Sequence, residues 1–372
     1  MRHFFWIVCG LLLTQATFAQ NTPKFQPYGF VRLDAIFDDS RLSHPQFPNY
    51  VQSEPRGSDG SLTIHPRLTR LGVKIAKQEI TSNVSASGQI EIDFQNGGRE
   101  SRETPRMRHG FATLHFENAE LLLGQTWDLI SPLYPAPNSD GLMWNAGNMG
   151  DRRPQLRATL KPNGGNLTLS GALGMPNAVD GKDLDGGGGL ADLDGADAAI
   201  PMIQGLAEIN TNGLRLGLWG HWSREKTTTP VGGKTAFDTY SLGGHFRLPF
   251  GKAWVQGEAF IGQNLSDVRG GIGQGVNTAT GQEIESKGGW AELGVKATDK
   301  VTLTAGGTID DPKDTHLSIG GRTLNYSLYG VYAYRPASAF QIAAEYLYWK
   351  TEYNALSEGK ANRVDLHATL YF

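Results

Sequence analysis

The chain has 372 residues, with 34 lysines and arginines against 37 aspartates and glutamates, a formal net charge of -3 and a single cysteine, Cys9. The near-neutral balance leaves no bulk electrostatic case for nucleic acid, and one cysteine cannot build a disulfide framework. No apolar run after residue 19 is long enough for a membrane helix, and a negative mean hydropathy of -0.34 still allows a membrane barrel, whose strands need apolar residues only at alternate positions.

Arg2, an apolar run over 4–13 and the small-residue stretch Thr17-Phe18-Ala19 predict a secretory signal peptide over 1–19, cleaved after Ala19. About ten apolar residues are too few to cross a bilayer as a helix. The remaining 20–372 read as one domain, free of cysteine and of thiolate chemistry.

The first strand, 28–37, sets Gly29, Val31, Leu33, Ala35 and Phe37 on one face and Arg32 and Asp34 on the other. A polar, proline-rich stretch follows over 38–60, then a second strand over 62–77. The third alternates most cleanly: Ala86, Gly88, Ile90, Ile92 and Phe94 oppose Ser85, Ser87, Gln89, Glu91 and Asp93. Further strands are predicted over 106–116, 119–127, 153–162, 166–175, 201–210, 214–223, 238–248, 253–265, 286–297, 301–310, 324–335, 340–350 and 361–372. That makes sixteen, several of them near the 9–11 residues that cross a bilayer when tilted.

The connections alternate in length. Glu117-Asn118, Asn163-Gly164-Gly165, Thr211-Asn212-Gly213 and Thr298-Asp299-Lys300 are tight turns, whereas 128–152, 176–200, 225–237 and 266–284 are long. This is the asymmetry of an all-β, transmembrane, antiparallel barrel in an outer membrane, with short periplasmic turns and long external loops. The last strand alternates Val364, Leu366, Ala368, Leu370 and Phe372 against Asp365, His367, Thr369 and Tyr371. It is expected to close the barrel on the first strand, with Phe372 as the C-terminal aromatic of an assembly signal. Tyr326, Tyr332, Tyr334, Tyr346 and Tyr348 fall on predicted outer faces, as an interfacial girdle requires.

Sixteen strands enclose a space too wide for side chains to fill, so function depends on inward charges and on whatever narrows the lumen. Arg32, Arg70, Lys74, Arg106, Arg108, Arg153 and Arg157 are placed inward, since a charge facing lipid near the midplane costs about 2–4 kcal/mol. Cationic rings favour anions. Arg67 differs in parity from Arg70, and His109 and His115 fall on the face assigned to lipid. The competing reading is that the arginines pair with Asp34, Glu91 and Asp93 and only hold the wall together. Residues 128–152 carry prolines, glycines, Met143, Trp144 and Met149, and are expected to fold inward as a constriction loop, with Asp140 and Asp151 facing the arginines.

Other chemistry is poorly supported. Asp180, Asp183, Asp185, Asp192, Asp194 and Asp197 crowd a glycine-rich loop, but glycine fills one ligand position of a calcium loop and no terminal glutamate follows, so a solvated loop is expected. Gly271-Ile272-Gly273-Gln274-Gly275 precedes no helix and reads as external, not as a dinucleotide fingerprint. No hydrolase or zinc motif is present, His221-Trp222-Ser223 is only a local adjacency, and neither enzyme activity nor a cofactor is expected.

The residues Gly29-Phe-Val-Arg-Leu-Asp-Ala-Ile-Phe-Asp38, Arg67-Leu-Thr-Arg-Leu-Gly-Val-Lys74, Arg106-Met-Arg-His109 and Leu123-Gly-Gln-Thr-Trp127 resemble the DcaP-like outer-membrane porins. The resemblance implies a sixteen-stranded trimeric channel for small anions, notably dicarboxylates, with Arg32, Arg70, Arg106 and Arg108 lining the pore. Members of that family can carry an N-terminal coiled coil, for which the eight residues between Ala19 and the first strand leave no room. The expected partners are outer-membrane lipid and lipopolysaccharide, small anionic solutes, two further copies of the chain, and the barrel-assembly machinery. A plugged structural or adhesive barrel and an outer-membrane hydrolase are the alternatives.

Overall fold

A computed structural model describes residues 24–54, 59–95, 103–137, 141–162, 165–186 and 193–372. The expected signal peptide over 1–19, Asp140, Asn163-Gly164 and Asp192 lie outside the described residues. The strands are β1 (Phe25–Asp38), β2 (Ser61–His65), β3 (Arg70–Thr81), β4 (Val84–Asp93), β5 (Arg106–His115), β6 (Ala119–Trp127), β7 (Arg152–Leu160), β8 (Leu167–Gly174), β9 (Met202–Thr211) and β10 (Leu214–Val231). They continue as β11 (Lys234–Phe250), β12 (Ala253–Gln263), β13 (Val276–Asn277), β14 (Gln282–Glu283), β15 (Glu285–Lys296), β16 (Val301–Pro312), β17 (Arg322–Ala337), β18 (Phe340–Tyr353) and β19 (Leu356–Tyr371). One four-residue helix, α1 (Asp194–Asp197), lies in the β8–β9 loop.

All but β13 and β14 form one antiparallel sheet that closes on itself. The closing seam pairs β1 with β19 in register from Phe30 opposite Tyr371 to Asp38 opposite Arg363. Beyond the strand, the Phe372 amide donates to the Gly29 carbonyl at 3.1 Å. The expected second strand is two segments, β2 and β3, which pair in turn along β1 and so fill one position of a sixteen-position wall. Pro66 explains the break, because it has no amide to donate to a ladder. Its carbonyl instead takes the Thr69 amide at 2.9 Å in a turn. Arg67 falls in that turn and pairs with Glu103 at 3.2 Å, which removes its parity conflict with Arg70.

Polarity is reversed relative to a water-soluble fold. Val31, Leu33 and Phe37 on β1, Leu216 and Leu218 on β10, and Leu366 and Leu370 on β19 are exposed. Their neighbours Asp34, His221, Ser223, Asp365 and Thr369 are buried inside. A continuous apolar exterior over a polar interior is stable only against lipid. Tyr332 and Tyr346 are exposed on that exterior, on the face expected for the girdle.

Three expectations about individual elements change. On β5, Glu91 pairs with His109 while Ile92 pairs with Met107, so a bulge at Arg108-His109 turns both residues inward and rephases the strand. His109 and His115 therefore face the lumen: His115 meets Ser87 at 2.8 Å and Glu120 at 3.2 Å. The predicted 225–237 loop is instead a continuation of β10 and β11 into a ribbon, turned at Gly232 (φ 55°) and Gly233 (φ 85°). Positive φ at both central residues is what a tight hairpin with matching twist demands. A side chain at Gly232 would also meet the Gly281 backbone at 1.8 Å, because the ribbon tip touches the β13–β14 hairpin. Similarly, β19 begins at Leu356, not at 361, after a short turn at Asn354-Ala355.

Candidate functional site

The interior has two unlike walls. From β9 to β18 the inward side chains include Glu208, His245, Glu258, Glu292 and Asp310 among Trp219, Phe260, Tyr329, Leu347 and Trp349, all buried. The 128–152 segment folds into the barrel against part of this wall. Glu258 accepts the Leu133 amide at 2.6 Å and the Ser131 hydroxyl, and Glu292 accepts the Ala136 amide at 2.7 Å. Gln204 takes the Leu129 amide at 2.7 Å, and Asn325 donates to the Asn145 carbonyl at 2.7 Å. Apart from the Ser131 hydroxyl bond, each of these satisfies a loop backbone group that has no ladder partner.

Apolar contacts set the depth of the loop. Met143 and Ala146 pack with Leu42, Val51, Tyr329, Leu347 and Trp349. Ile130 and Met149 join Met202, Trp219, Phe260, Leu265 and Val268. The last two belong to the β12–β15 loop, which also turns inward, burying Ile272. The Gly271–Gly275 stretch expected outside therefore lies inside.

The opposite wall, β3 to β7, carries the cations. Arg70 and Arg108 share Glu91, at 3.4 Å and 2.7 Å, and Arg106 and Arg108 share Asp93, at 2.7 Å and 2.8 Å. Arg152 and Arg269 share Asp151 at 3.2 Å and 3.0 Å. Arg157 makes no ion pair among the described residues and bonds Gln155 and the Trp127 carbonyl. Lys74, exposed nearer the short-turn end, sits over the Tyr28 ring at 5.2 Å. Glu91, Asp93 and Asp151 are each divided between two arginines, so this cluster keeps a positive excess.

Trp127 is the focus of that excess. The Arg152 and Arg108 guanidiniums stand 4.4 Å and 5.9 Å from its ring centroid, Trp144 meets it edge-on at 6.1 Å, and Tyr134 lies tilted against it at 4.9 Å. Stacking on an aromatic face holds a guanidinium without cancelling its charge as a carboxylate would. Arg152 Nη1 has no hydrogen-bond partner. Burial raises the Asp151 carboxyl, but Arg152 and Arg269 and the Arg152 amide outweigh that and hold it below the usual carboxylate range. Toward the long-loop end, Arg106, Lys182, Arg269 and Arg322 border a cavity of about 740 Å³ together with Phe47 and Tyr50.

The seven cations read from the sequence separate into two groups. Arg70, Lys74, Arg106, Arg108 and Arg157 face the lumen, Arg106 at the border of that cavity. Arg32 and Arg153 do not. Arg32 is 2% exposed, bound through its Nε to Asp34 at 2.8 Å with Asp365 at 3.9 Å. Asp365, His367 and Thr369, on the face of the last strand opposite its apolar residues, point inward beside it and are buried. Arg153 is 0% exposed and clamps Asp128 at 2.6 Å, Asp267 at 2.7 Å and the Met175 carbonyl at 2.9 Å, so that three loops meet on one guanidinium. For these two, ion pairing that holds the wall is the observed role. Of the loop residues singled out, Trp144 and Asp151 lie as just described. Arg152, Arg269 and Arg322 were missed. The last two lie in or beside loops with no alternation to read, and Arg152 has the parity of an outward residue.

No protein-family model and no curated protein matches the chain. Solved structures do. The outer membrane channel DcaP of Acinetobacter baumannii matches with a TM-score of 0.76 at 17% identity, over 94% of this chain and 97% of that one. An anion-selective porin from Comamonas acidovorans matches at 0.65 and 11% identity, over 94% and 100%. The trimer form of OmpT, an outer membrane protein of Vibrio cholerae, matches at 0.61 and 15%, over 94% and 99%. At these identities the likeness establishes the fold. The resemblance to DcaP-like porins drawn from short stretches is thus met along nearly the whole chain.

Proposed function

We propose that the chain is an outer-membrane porin, a passive diffusion channel for small hydrophilic solutes that prefers anions such as dicarboxylates. The carrying observation is the sharing of Glu91, Asp93 and Asp151 among Arg70, Arg106, Arg108, Arg152 and Arg269, which leaves uncompensated positive charge where the inward loop narrows the lumen. Arg108 and Arg152 beside Trp127 offer two guanidiniums to one doubly charged solute, and guanidinium forks match carboxylate geometry. The opposite wall offers no comparable excess of charge, because its carboxylates are already bonded: Glu258 and Glu292 to loop amides, Glu208 to Arg215 and His245, and Asp310 to Ser286 and the Ile272 amide.

Under the same reading, residues 1–19 direct export and are removed after Ala19. The β1–β19 seam with its terminal Phe372 is presented to the assembly machinery, and the apolar exterior meets lipid and lipopolysaccharide. Three copies associate through that exterior, in keeping with the trimer recorded for the Vibrio protein. The chemistry of the lumen calls for no catalytic residue.

Planar-bilayer recording of the purified protein under a potassium chloride gradient tests the reading. A reversal potential on the chloride side is expected. One on the potassium side would refute the anion preference, and the absence of conductance would favour the alternative of a plugged barrel, for which two inward loops are the specific observation.

A further inference from the structure

We propose that the β8–β9 loop binds a calcium ion through Asp183, Asp185 and Asp194. One carboxylate oxygen from each of the three lies within 4.8 Å of the other two. Calcium takes oxygen ligands at about 2.3–2.6 Å, so ligands across one ion stand roughly 5 Å apart and adjacent ones closer. Three oxygens mutually within 4.8 Å fit round a single ion of that size. Magnesium, which demands a strict octahedron and sheds its waters reluctantly, suits an irregular all-carboxylate loop less well.

The second observation concerns Asp194. It is 0% exposed, its Oδ2 accepts the Leu184 amide at 2.8 Å, and its Oδ1 has no hydrogen-bond partner. A buried carboxylate oxygen with nothing to bond carries a full desolvation cost, which a cation removes. Among the described residues, neither Asp185 nor Asp194 pairs with a lysine or arginine. The loop's lysine, Lys182, is taken by Asp180 and Ser266.

Neighbouring bonds orient the other two carboxylates. Asp183 Oδ1 accepts the Gly186 amide at 2.8 Å. Asp185 Oδ2 accepts the Thr229 amide at 2.6 Å and the Thr228 hydroxyl at 2.7 Å, both from the extended β10 ribbon. An ion at this point would fasten the loop to that ribbon. Val179, Asp180 and Lys182 of the same loop border the cavity at the long-loop end, so the ion would also fix one side of the mouth. The donors are oxygens only, without histidine or thiolate, which suits a hard cation. A few carboxylates on an irregular loop suit the weak range of extracellular calcium modules, about 10⁻⁴–10⁻³ M.

The test uses the full chain, refolded in detergent free of lipopolysaccharide and stripped with a chelator, then titrated calorimetrically with calcium alone. One saturable site per chain is expected in the wild type and in Asp197→Asn, and its loss in Asp194→Asn and in Asp185→Asn. Trypsin should cut after Lys182 more slowly with calcium in the wild type and at one rate in the two ligand variants. Circular dichroism checks that each variant keeps its strands, as a loop change outside the wall should allow. No saturable binding by the wild type, or unchanged binding in both ligand variants, overturns the proposal. Magnesium binding as tightly as calcium overturns the choice of ion.

Discussion

The two walls of this barrel contain the same kinds of residue and use them in opposite ways. From β9 to β18, carboxylates and aromatics are partly covered by a loop, and Glu258 and Glu292 act as fixed acceptors for loop amides. From β3 to β7, Glu91 and Asp93 are shared among arginines, and charge is left over toward the lumen. A buried acid given backbone donors becomes an anchor, whereas an acid outnumbered by guanidiniums only moderates a positive surface. What distinguishes the walls is therefore how many partners each charge has.

The strongest way to break the contrast is to remove the excess itself. The double variant Arg108→Gln with Arg152→Gln should lower the chloride-to-potassium permeability ratio roughly ten-fold or more, since one charge about 4 Å away is worth about 1–4 kcal/mol between aqueous and near-surface screening. Reversal potentials measure it, and an unchanged ratio would move selectivity elsewhere. Arg153 offers the converse test. Arg153→Met should cost about 3–5 kcal/mol in urea unfolding, because Asp128 and Asp267 stay buried without their cation, and should leave ion preference as it was.

A smaller effect is expected on the anchoring side. Glu258→Leu leaves the Leu133 amide unpaired, the Ser131 hydroxyl keeping Asn148 as its acceptor, and should cost about 1–3 kcal/mol. Noisier open-channel current should accompany it as the loop loosens. Smallest of all is the contribution of Asp151. Its carboxyl is held below the usual range, so its stabilising ion pairs are fully present above the unfolded value of about 3.9 and are lost as pH falls through the lower folded value. Anion preference should therefore hold steady from pH 7 to pH 5 and rise at lower pH, as Arg152 and Arg269 are released. Asp151→Asn should give the same modest rise at pH 7, and a fall would contradict the assignment.

Much of the wall was legible. Alternation on β1 and β4, the Asn212-Gly213 turn with φ of 51° and 82°, and the closing pair of first and last strands follow from a period of two and from local turn chemistry. Legibility failed where a single residue changes the phase. The bulge at Arg108-His109 moves His115 to the other face, and only the pairing with β4 reveals the extra residue. It failed again for Arg32 and Arg153, whose inward direction was right but whose surroundings were not. Whether an inward arginine meets water or two carboxylates depends on loops far away in the chain.

By itself, then, the sequence determined the barrel, its strand alternation and which wall would carry the arginines, because these rest on neighbours one or two residues apart. The tertiary structure alone decided which cations remain partly uncompensated and where Asp183, Asp185 and Asp194 converge. Those outcomes depend on how folded loops meet strands more than a hundred residues distant, or on each other across a turn of irregular backbone. No period in the chain encodes such meetings.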